Sequence, residues 1–452
     1  MEWIDNFVFL LLISGATFLF IKNISRIKKN ISLGRALNID DHKKERWKLM
    51  AKVAIGQSKM VVRPTAGIFH IILYAGFIII NIEVFEIIID GIFGTHRILS
   101  FLGSFYYLLI AIFEYLALAV IIACVVFLLR RNVLKLKRFL SNDLNGWPKS
   151  DANIILITEI LLMSAFLLMN AADGLMMSYG SLNSNLVHPE FTDAAIKIFG
   201  NQTGNLYFPV SAYLTGFLPT QINSLHFIER SAWWFHIIGI LGFLNYLPYS
   251  KHFHILMAFP TVFYSNLKAK GQFTNLESVT KEVKLILDPS APAPTDEAPS
   301  KFGAKDISDL TWKQLLDAYS CTECGRCTSN CPANQTGKLL SPRKIMMDTR
   351  DRMEEIGKNI AQHGKDFTDN KSLIGDYITT EELWACTTCN ACTESCPINI
   401  DPLSIIIDLR RYLVMEKSEA PASLNSMFTN IENNGAPWQF SMSDRLNWTK
   451  EN

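Results

Sequence analysis

Apolar residues fall in long unbroken runs over the first 250 positions and in short groups after about 305. Five runs are long enough to cross roughly 30 Å of hydrocarbon, which takes about 20 residues in a helix. They lie near residues 5–22, 66–89, 104–129, 153–177 and 231–250. A shorter run, 206–218, is interrupted by Pro209 and Gly216 and reads as an interfacial or re-entrant piece. Residues 251–287 then lead into a breaker-rich linker at 288–299, where four prolines make a semi-extended tether. The pattern predicts an all-α protein: a membrane domain over 1–260, a linker over 261–304, a soluble helical domain over 305–415 and a tail over 416–452.

Composition agrees. Of 452 residues 49% are apolar and only 19% charged, below the quarter usual for a soluble domain. With 43 basic and 42 acidic side chains the net charge is +1, which argues against nucleic acid as the partner. The first run is preceded by acidic Glu2 and Asp5 and lacks a small-residue cleavage site, so it reads as a span and not a removable signal. Basic residues set the orientation. Residues 22–63 hold twelve Lys or Arg and 130–149 hold six, against one in 91–102 and two in 179–230. The N-terminus is therefore expected outside a bacterial cytoplasmic membrane, with everything after 250 in the cytoplasm.

Eight of the nine cysteines stand in two tracts that repeat one pattern. Cys321, Cys324, Cys327 and Cys331 precede Pro332; Cys386, Cys389, Cys392 and Cys396 precede Pro397. C-x₂-C-x₂-C-x₃-C-P is the spacing of bacterial-type [4Fe–4S] sites, in which the fourth cysteine ligates the other cluster. One cluster should take Cys321, Cys324, Cys327 and Cys396; the second should take Cys386, Cys389, Cys392 and Cys331. Disulfides are disfavoured on the cytoplasmic side, and zinc does not explain a Cys-Pro ending that occurs twice. Capping boxes at Thr311…Gln314 and Thr379…Glu382 predict a helix leading into each tract. Residues 342–371 read as a charged helix, and Cys124 as a small core residue within the third span.

Imidazoles in apolar helices are costly and usually functional. His70 lies near the inner end of the second span, with Gly67 and Gly76 expected to leave room for a flat macrocycle. His252 and His254 lie at the inner end of the fifth, so His70 with either could bis-ligate the iron of a haem b. His236 is 18 residues before His254, five turns on one helix face about 27 Å apart along the axis, unless Pro248 kinks the helix between them. A second, outer haem on His236 would need a partner near residues 80–84, where there is no histidine. His96, His188 or His226 could substitute, or His236 could hold a quinone oxygen. Of the acids in or near the spans (Glu83, Glu86, Glu114, Glu159 and Asp173), Glu83 is the candidate for proton-coupled quinone chemistry. His42 and His363 read as solvated.

These pieces resemble a known combination. The five-span part looks like the cytochrome b subunit of respiratory nitrate reductase and the membrane subunit of heterodisulfide reductase. The dicluster part is similar to the small iron–sulfur subunit of heterodisulfide reductase in Cys321-Thr-Glu-Cys-Gly-Arg-Cys and Gly337-Lys-Leu-Leu-Ser-Pro. Residues 63–77 and 233–271, including Pro248-Tyr-Ser-Lys-His-Phe-His, resemble the membrane iron–sulfur oxidoreductases that link electron-transfer flavoprotein to menaquinone. The resemblance implies a five-transmembrane-helix cytochrome b-like bundle followed by an α-helical ferredoxin-like domain with two [4Fe–4S] clusters. It further implies electron transfer between a cytoplasmic partner, the clusters, one or two haems b and menaquinone as substrate. Two departures stand out: the second histidine of span two is absent, and no cysteine follows Cys396, so a separate cysteine-rich iron–sulfur subunit would carry the catalytic cluster, with electron-transfer flavoprotein a possible partner. Rival readings are a thiol–disulfide oxidoreductase subunit of the heterodisulfide type and a redox-silent anchor for a ferredoxin. A transporter using the buried acids fits five short-looped spans poorly.

Overall fold

The computed structural model describes residues 2–182, 208–290 and 301–450. Among these residues the chain is helical, with two isolated β-bridges and no strand. It divides into two units: Met1–Lys29, Trp47–Phe263 and Thr322–Cys324 form the first, and Asn30–Arg46, Tyr264–Cys321 and Gly325–Asn452 the second.

The helices of the first unit are α1 (Glu2–Ile31), α2 (Lys43–Met50), α3 (Pro64–Phe93), α4 (Ser104–Leu128), α5 (Trp147–Leu182), α6 (Ile222–Tyr246) and α7 (His254–Phe263). Proline at its first position starts α3, where the missing N–H costs nothing. Gly94 ends it in the left-handed conformation, its N–H returned to Asp90 O at 2.8 Å. Four stretches are long and apolar enough to cross a membrane: Trp3–Ile31, Pro64–Phe93, Ser104–Val133 and Trp147–Tyr179. α6 carries Glu229 and Arg230, an ion-paired couple near its start, and is not among these four. Helices α3 to α6 share one core around Ile80, Tyr106, Phe113, Val120, Phe166 and Trp233.

Two expectations are corrected here. The run 231–250 is not one helix: α6 stops at Tyr246, tight turns at Leu247–Tyr249 and Lys251–Phe253 follow, and His254 opens α7. Pro248 in the first turn cannot donate the N–H that a continuing helix needs. His236 and His254 therefore do not share a helix face. Nor do the two glycines leave open space. A Cβ on Gly67 would lie 2.6 Å from Met60 O, and one on Gly76 2.6 Å from Val120 Cγ2, so both serve close packing. The piece at 206–218 is described from Phe208 onward and forms two short turns, Ser211–Tyr213 and Thr215–Phe217.

The second unit contains α8 (Glu277–Leu287), α9 (Trp312–Ser320), α10 (Arg326–Ser329), α11 (Pro332–Gln335), α12 (Pro342–His363), α13 (Thr380–Trp384), α14 (Ala391–Ser395), α15 (Pro402–Met415) and α16 (Ala422–Asn434). Both expected capping boxes form: Thr311 with Gln314 opens α9, and Thr379 with Glu382 opens α13. Residues 30–46 belong to this unit, a placement the sequence did not suggest. Arg35 N donates to Leu310 O and Trp312 N to Arg35 O, while Asn30 Nδ2 reaches Tyr319 OH at 2.9 Å.

Arg352 of α12 is 2% exposed and ties the connector between the two tracts together. Its guanidinium donates to Asp306, Asp369, Glu355 and Lys371 O at 2.6–3.3 Å. The hydrogen bond from Arg352, against a smaller effect of burial, holds the Asp369 carboxyl down at about 2. Removing the cation leaves these carboxylates uncompensated, so Arg352→Met should destabilise the unit by about 3–5 kcal/mol. A carboxyl lowered on folding stabilises above its unfolded range near ~4 and loses that contribution as pH falls through the folded value. The melting-temperature gap between wild type and the variant should therefore shrink between pH ~4 and ~2; a gap independent of pH would refute the assignment.

Candidate functional site

The two cysteine tracts adopt one backbone design. In Cys321-Thr-Glu-Cys-Gly, Glu323 (φ 54°) and Gly325 (φ 70°) are left-handed; in Cys386-Thr-Thr-Cys-Asn, Thr388 (φ 56°) and Asn390 (φ 61°) occupy the same two positions. Left-handed backbone is unfavourable for Glu and more so for β-branched Thr, so its recurrence at matched sites marks a loop wound for a purpose. The winding turns amides onto sulfur: Thr388 N donates to Cys386 Sγ at 3.4 Å, and Ile400 N to Cys396 Sγ at 3.3 Å.

Elements of the two tracts meet. α10 packs on α14, and Asn330 Nδ2 donates to Ser395 Oγ at 2.6 Å, just before Cys331 and Cys396. Burial pushes the Cys386 thiol up, and the thiols of Cys331 and Cys389 add to the effect. Cys331 of the first tract thus lies within electrostatic reach of the second. Burial pushes Cys392 up to about 12. A thiol must lose its proton to bind iron, so iron binding at Cys386 and Cys392 works against their burial and releases protons. Arg410 supplies the nearby positive charge: its guanidinium donates to Leu383 O at 2.6 Å and Cys386 O at 2.5 Å and lies over the Trp384 ring. Spacing alone could not reveal Arg410, which is supplied from α15.

In the first unit, His70 and His254 are brought together, with ring centroids 6.3 Å apart. With metal–imidazole bonds of about 2 Å, two rings on one metal have centroids roughly 6 Å apart, so the pair fits a shared iron. His254 Nδ1 donates to Lys251 O at 3.0 Å, because a carbonyl can only accept, and this leaves Nε2 as the lone-pair nitrogen. Burial holds His254 below its usual range, in the neutral form that binds metals. His252 stands 5.7 Å from His254, ring to ring, and burial with the charges of His254 and His70 lowers it to about 3. Asp151, which drew no notice in the sequence, fixes this corner by accepting from Tyr246 OH, Ser250 Oγ and Lys251 N. Lys251 in turn pairs with Glu323.

His236 stands apart from this group on α6. It is fully buried, its Nδ1 donates to Leu162 O at 2.9 Å, and among the described residues its Nε2 has no hydrogen-bond partner. His96 bonds Asp173 at 3.3 Å, and His188 lies outside the described residues. His42 and His363 are exposed, as expected. Among the acids Glu86, Glu114 and Asp173 each accept two or more hydrogen bonds, Glu159 is half-buried, and Glu83 is taken up below.

Comparison with known proteins shows what the tracts are similar to. Residues 317–400 match the model of the 4Fe-4S dicluster domain. The chain is 30% identical to the "Probable iron-sulfur-binding oxidoreductase FadF" of Bacillus subtilis, over 98% of this chain and 60% of that protein. It is 26% identical to the EtfAB:quinone oxidoreductase of Syntrophomonas wolfei, over 88% of this chain and 53% of that one. A shorter match, 32% over 34% of this chain, is to a "Probable membrane-anchored ferredoxin" of Chromohalobacter salexigens. The relatives are thus iron–sulfur oxidoreductases, and this chain spans 53–60% of the length of the first two. No solved structure matches.

Asn390 offers a direct check on the wound loop. Asn390→Gly should be neutral or gain up to about 1 kcal/mol, whereas Asn390→Val should cost about 1–3 kcal/mol. Melting temperature and iron retained after gel filtration report both; equal behaviour of the two variants would refute the need for left-handed backbone there.

Proposed function

We propose that the chain is the membrane-bound electron-transfer part of a quinone-linked iron–sulfur oxidoreductase. The bundle spans the membrane five times, α6 included, with the N-terminus outside and the cysteine tracts in the cytoplasm, as the basic loops dictate. By the crossed rule of two-cluster ferredoxins, Cys321, Cys324, Cys327 and Cys396 hold one [4Fe–4S] cluster, and Cys386, Cys389, Cys392 and Cys331 the other. The reach between Cys331 and Cys386 supports the crossing.

The observation that carries the membrane half of this reading is the meeting of His70 with His254. Their rings, one set by the start of α3 and the other by the corner that Asp151 fixes, would hold a haem b, which when bound would supply a one-electron carrier within the bundle. His252 beside them keeps the pocket neutral. His236, with a lone-pair nitrogen in a dry site, is placed to accept a hydrogen bond from a quinol hydroxyl. Glu323 beside the first tract and Arg410 beside the second put opposite charges near the two clusters, and the potentials of such clusters respond to charge and hydrogen bonding. The cytoplasmic partner is a redox protein of the electron-transfer-flavoprotein or cysteine-rich iron–sulfur class, the quinone is of the menaquinone class, and the membrane is the bacterial cytoplasmic membrane. The quinone oxidoreductase named among the relatives supports this choice over a thiol–disulfide reaction.

A dithionite-minus-oxidised optical spectrum with a pyridine haemochrome count tests it. One haem per chain and about eight non-haem irons are expected. His254→Ala should remove the haem and leave the iron, whereas Cys331→Ser should lose one cluster and keep the other. A wild-type chain without haem would overturn the cytochrome reading and leave a membrane-anchored ferredoxin.

A further inference from the structure

At the end of the bundle opposite His70 and His254 lies a cluster of ionisable groups that the electron path does not use. Five carboxylates belong to it: Glu83, Glu86 and Asp90 from α3, Glu114 from α4 and Asp173 from α5. Arg97, in the connection from α3 to α4, is 6% exposed and donates to Asp173 Oδ2, to Tyr106 OH at 3.2 Å and to Asn170 Oδ1 at 2.8 Å. Tyr106 OH passes its own hydrogen to Glu86 at 2.8 Å.

Each carboxylate but one has donors that hold its charge. Asp90 accepts from Thr95 and from Arg97 N and Ile98 N; Glu86 from Leu99 N and Tyr106; Glu114 from Asn170, Val210 N and Ser211 N; Asp173 from Arg97 and His96. Glu83 is 3% exposed, and its buried Oε2 has no hydrogen-bond partner among the described residues. The charges that face it are Arg97, Glu86, Glu114 and Asp173. Glu86 stands three residues further along α3, on the same helix face. At the other end of the set, His96 is half-buried and bonded to Asp173. The groups able to carry a proton thus run from the dry Glu83, through Glu86 and Asp173, to His96, whose side chain is 11% exposed. Arg97 and Tyr106 hold that order fixed.

We infer that Glu83 is a proton-exchange site for quinone chemistry, served from the non-cytoplasmic face through Glu86, Asp173 and His96. Its use rests on the quinone reading above; the exchange path itself does not. When quinone is reduced, the redox partner supplies two electrons. Two protons pass in succession from the Glu83 carboxyl to the quinone oxygens, each replaced from the His96 end. Quinol oxidation runs the same steps backward and releases two protons and two electrons.

The test uses the full chain in liposomes, with menadiol and menadione as probes and the half-buried Glu159→Gln as control. Glu83→Gln should slow electron transfer to or from the probe by at least about tenfold, with haem and iron content unchanged, while Glu159→Gln stays within about twofold. Redox-difference infrared spectra should show a carboxylic-acid carbonyl band that shifts in D₂O and is missing in Glu83→Gln. His96→Ala should slow the exchange of that band several-fold. Unchanged turnover in Glu83→Gln, or a band that persists in it, would overturn the proposal. A wild type inert to both probes would refute the quinone reading instead, and the infrared exchange would then decide the path by itself.

Discussion

A guanidinium cannot shed its charge, so burying Arg97 obliges the bundle to surround it with acceptors. Those acceptors come from different helices: Tyr106 from α4, and Asn170 and Asp173 from α5, with Glu86 of α3 reached through Tyr106. Each bond works only at one rotation and height of its helix, so this cation fixes the register of three helices at once. Apolar packing cannot do that alone. In lipid, side chains such as Ile80 and Phe113 gain little over lipid tails, and packing and hydrogen bonds select the arrangement. Glu114 extends the same logic to the turn after Phe208 by accepting from Val210 N and Ser211 N.

The cysteine domain meets a different constraint, in which sulfurs that range from buried to exposed must be presented together by short loops. Its answer is local backbone. The matched left-handed residues, Glu323 with Gly325 and Thr388 with Asn390, bend both loops alike, and in the second Thr388 N is turned onto Cys386 Sγ. Helices α9 and α13, opened by capping boxes, lead the chain into those loops. Gly and Asn accept that geometry at small cost, whereas Glu and Thr do not. The strain is tolerated because α12, tied by Arg352 to Asp306 and Asp369, and α15, through Arg410, hold the tracts from behind.

What could be read from sequence divides along the range of the interactions. The helical class, both capping boxes and the cysteine repeat were legible because each is a local pattern with a fixed spacing. The meeting of His70 and His254 was legible only as a shared depth, and the route to it was misjudged. Counting 3.6 residues per turn through Pro248 put His236 and His254 on one face, but the proline and the Asp151 contacts end the helix between them. Gly67 and Gly76 looked like space because a glycine has no side chain; the neighbours that fill that space, Met60 and Val120, lie on other segments. Asp151, Arg410 and the weaving of residues 30–46 into the second unit left no mark, since each acts across about 24 to 290 positions of sequence.

Polar groups in the bundle therefore fall into two kinds, and the distinction bears on function. A polar side chain that serves only the fold must be paid for by its hydrogen bonds, as with Asp90, Glu114 and Asp151, whose oxygens meet donors from the backbone. Among the described residues Asn245 Oδ1, His236 Nε2 and Glu83 Oε2 break that rule, and the last two belong to ionisable side chains. An unpartnered buried polar atom costs about 1–3 kcal/mol, and apolar residues of similar shape would remove the cost at both sites. His236 Nε2 is a lone-pair nitrogen and Glu83 Oε2 an oxygen able to carry a proton, and the quinone reading proposed above uses the first as a hydrogen-bond acceptor and the second as a proton carrier. A chain that only moved electrons would need neither. A chain that ends its electron path on a quinone needs both, because quinone takes up protons with its electrons.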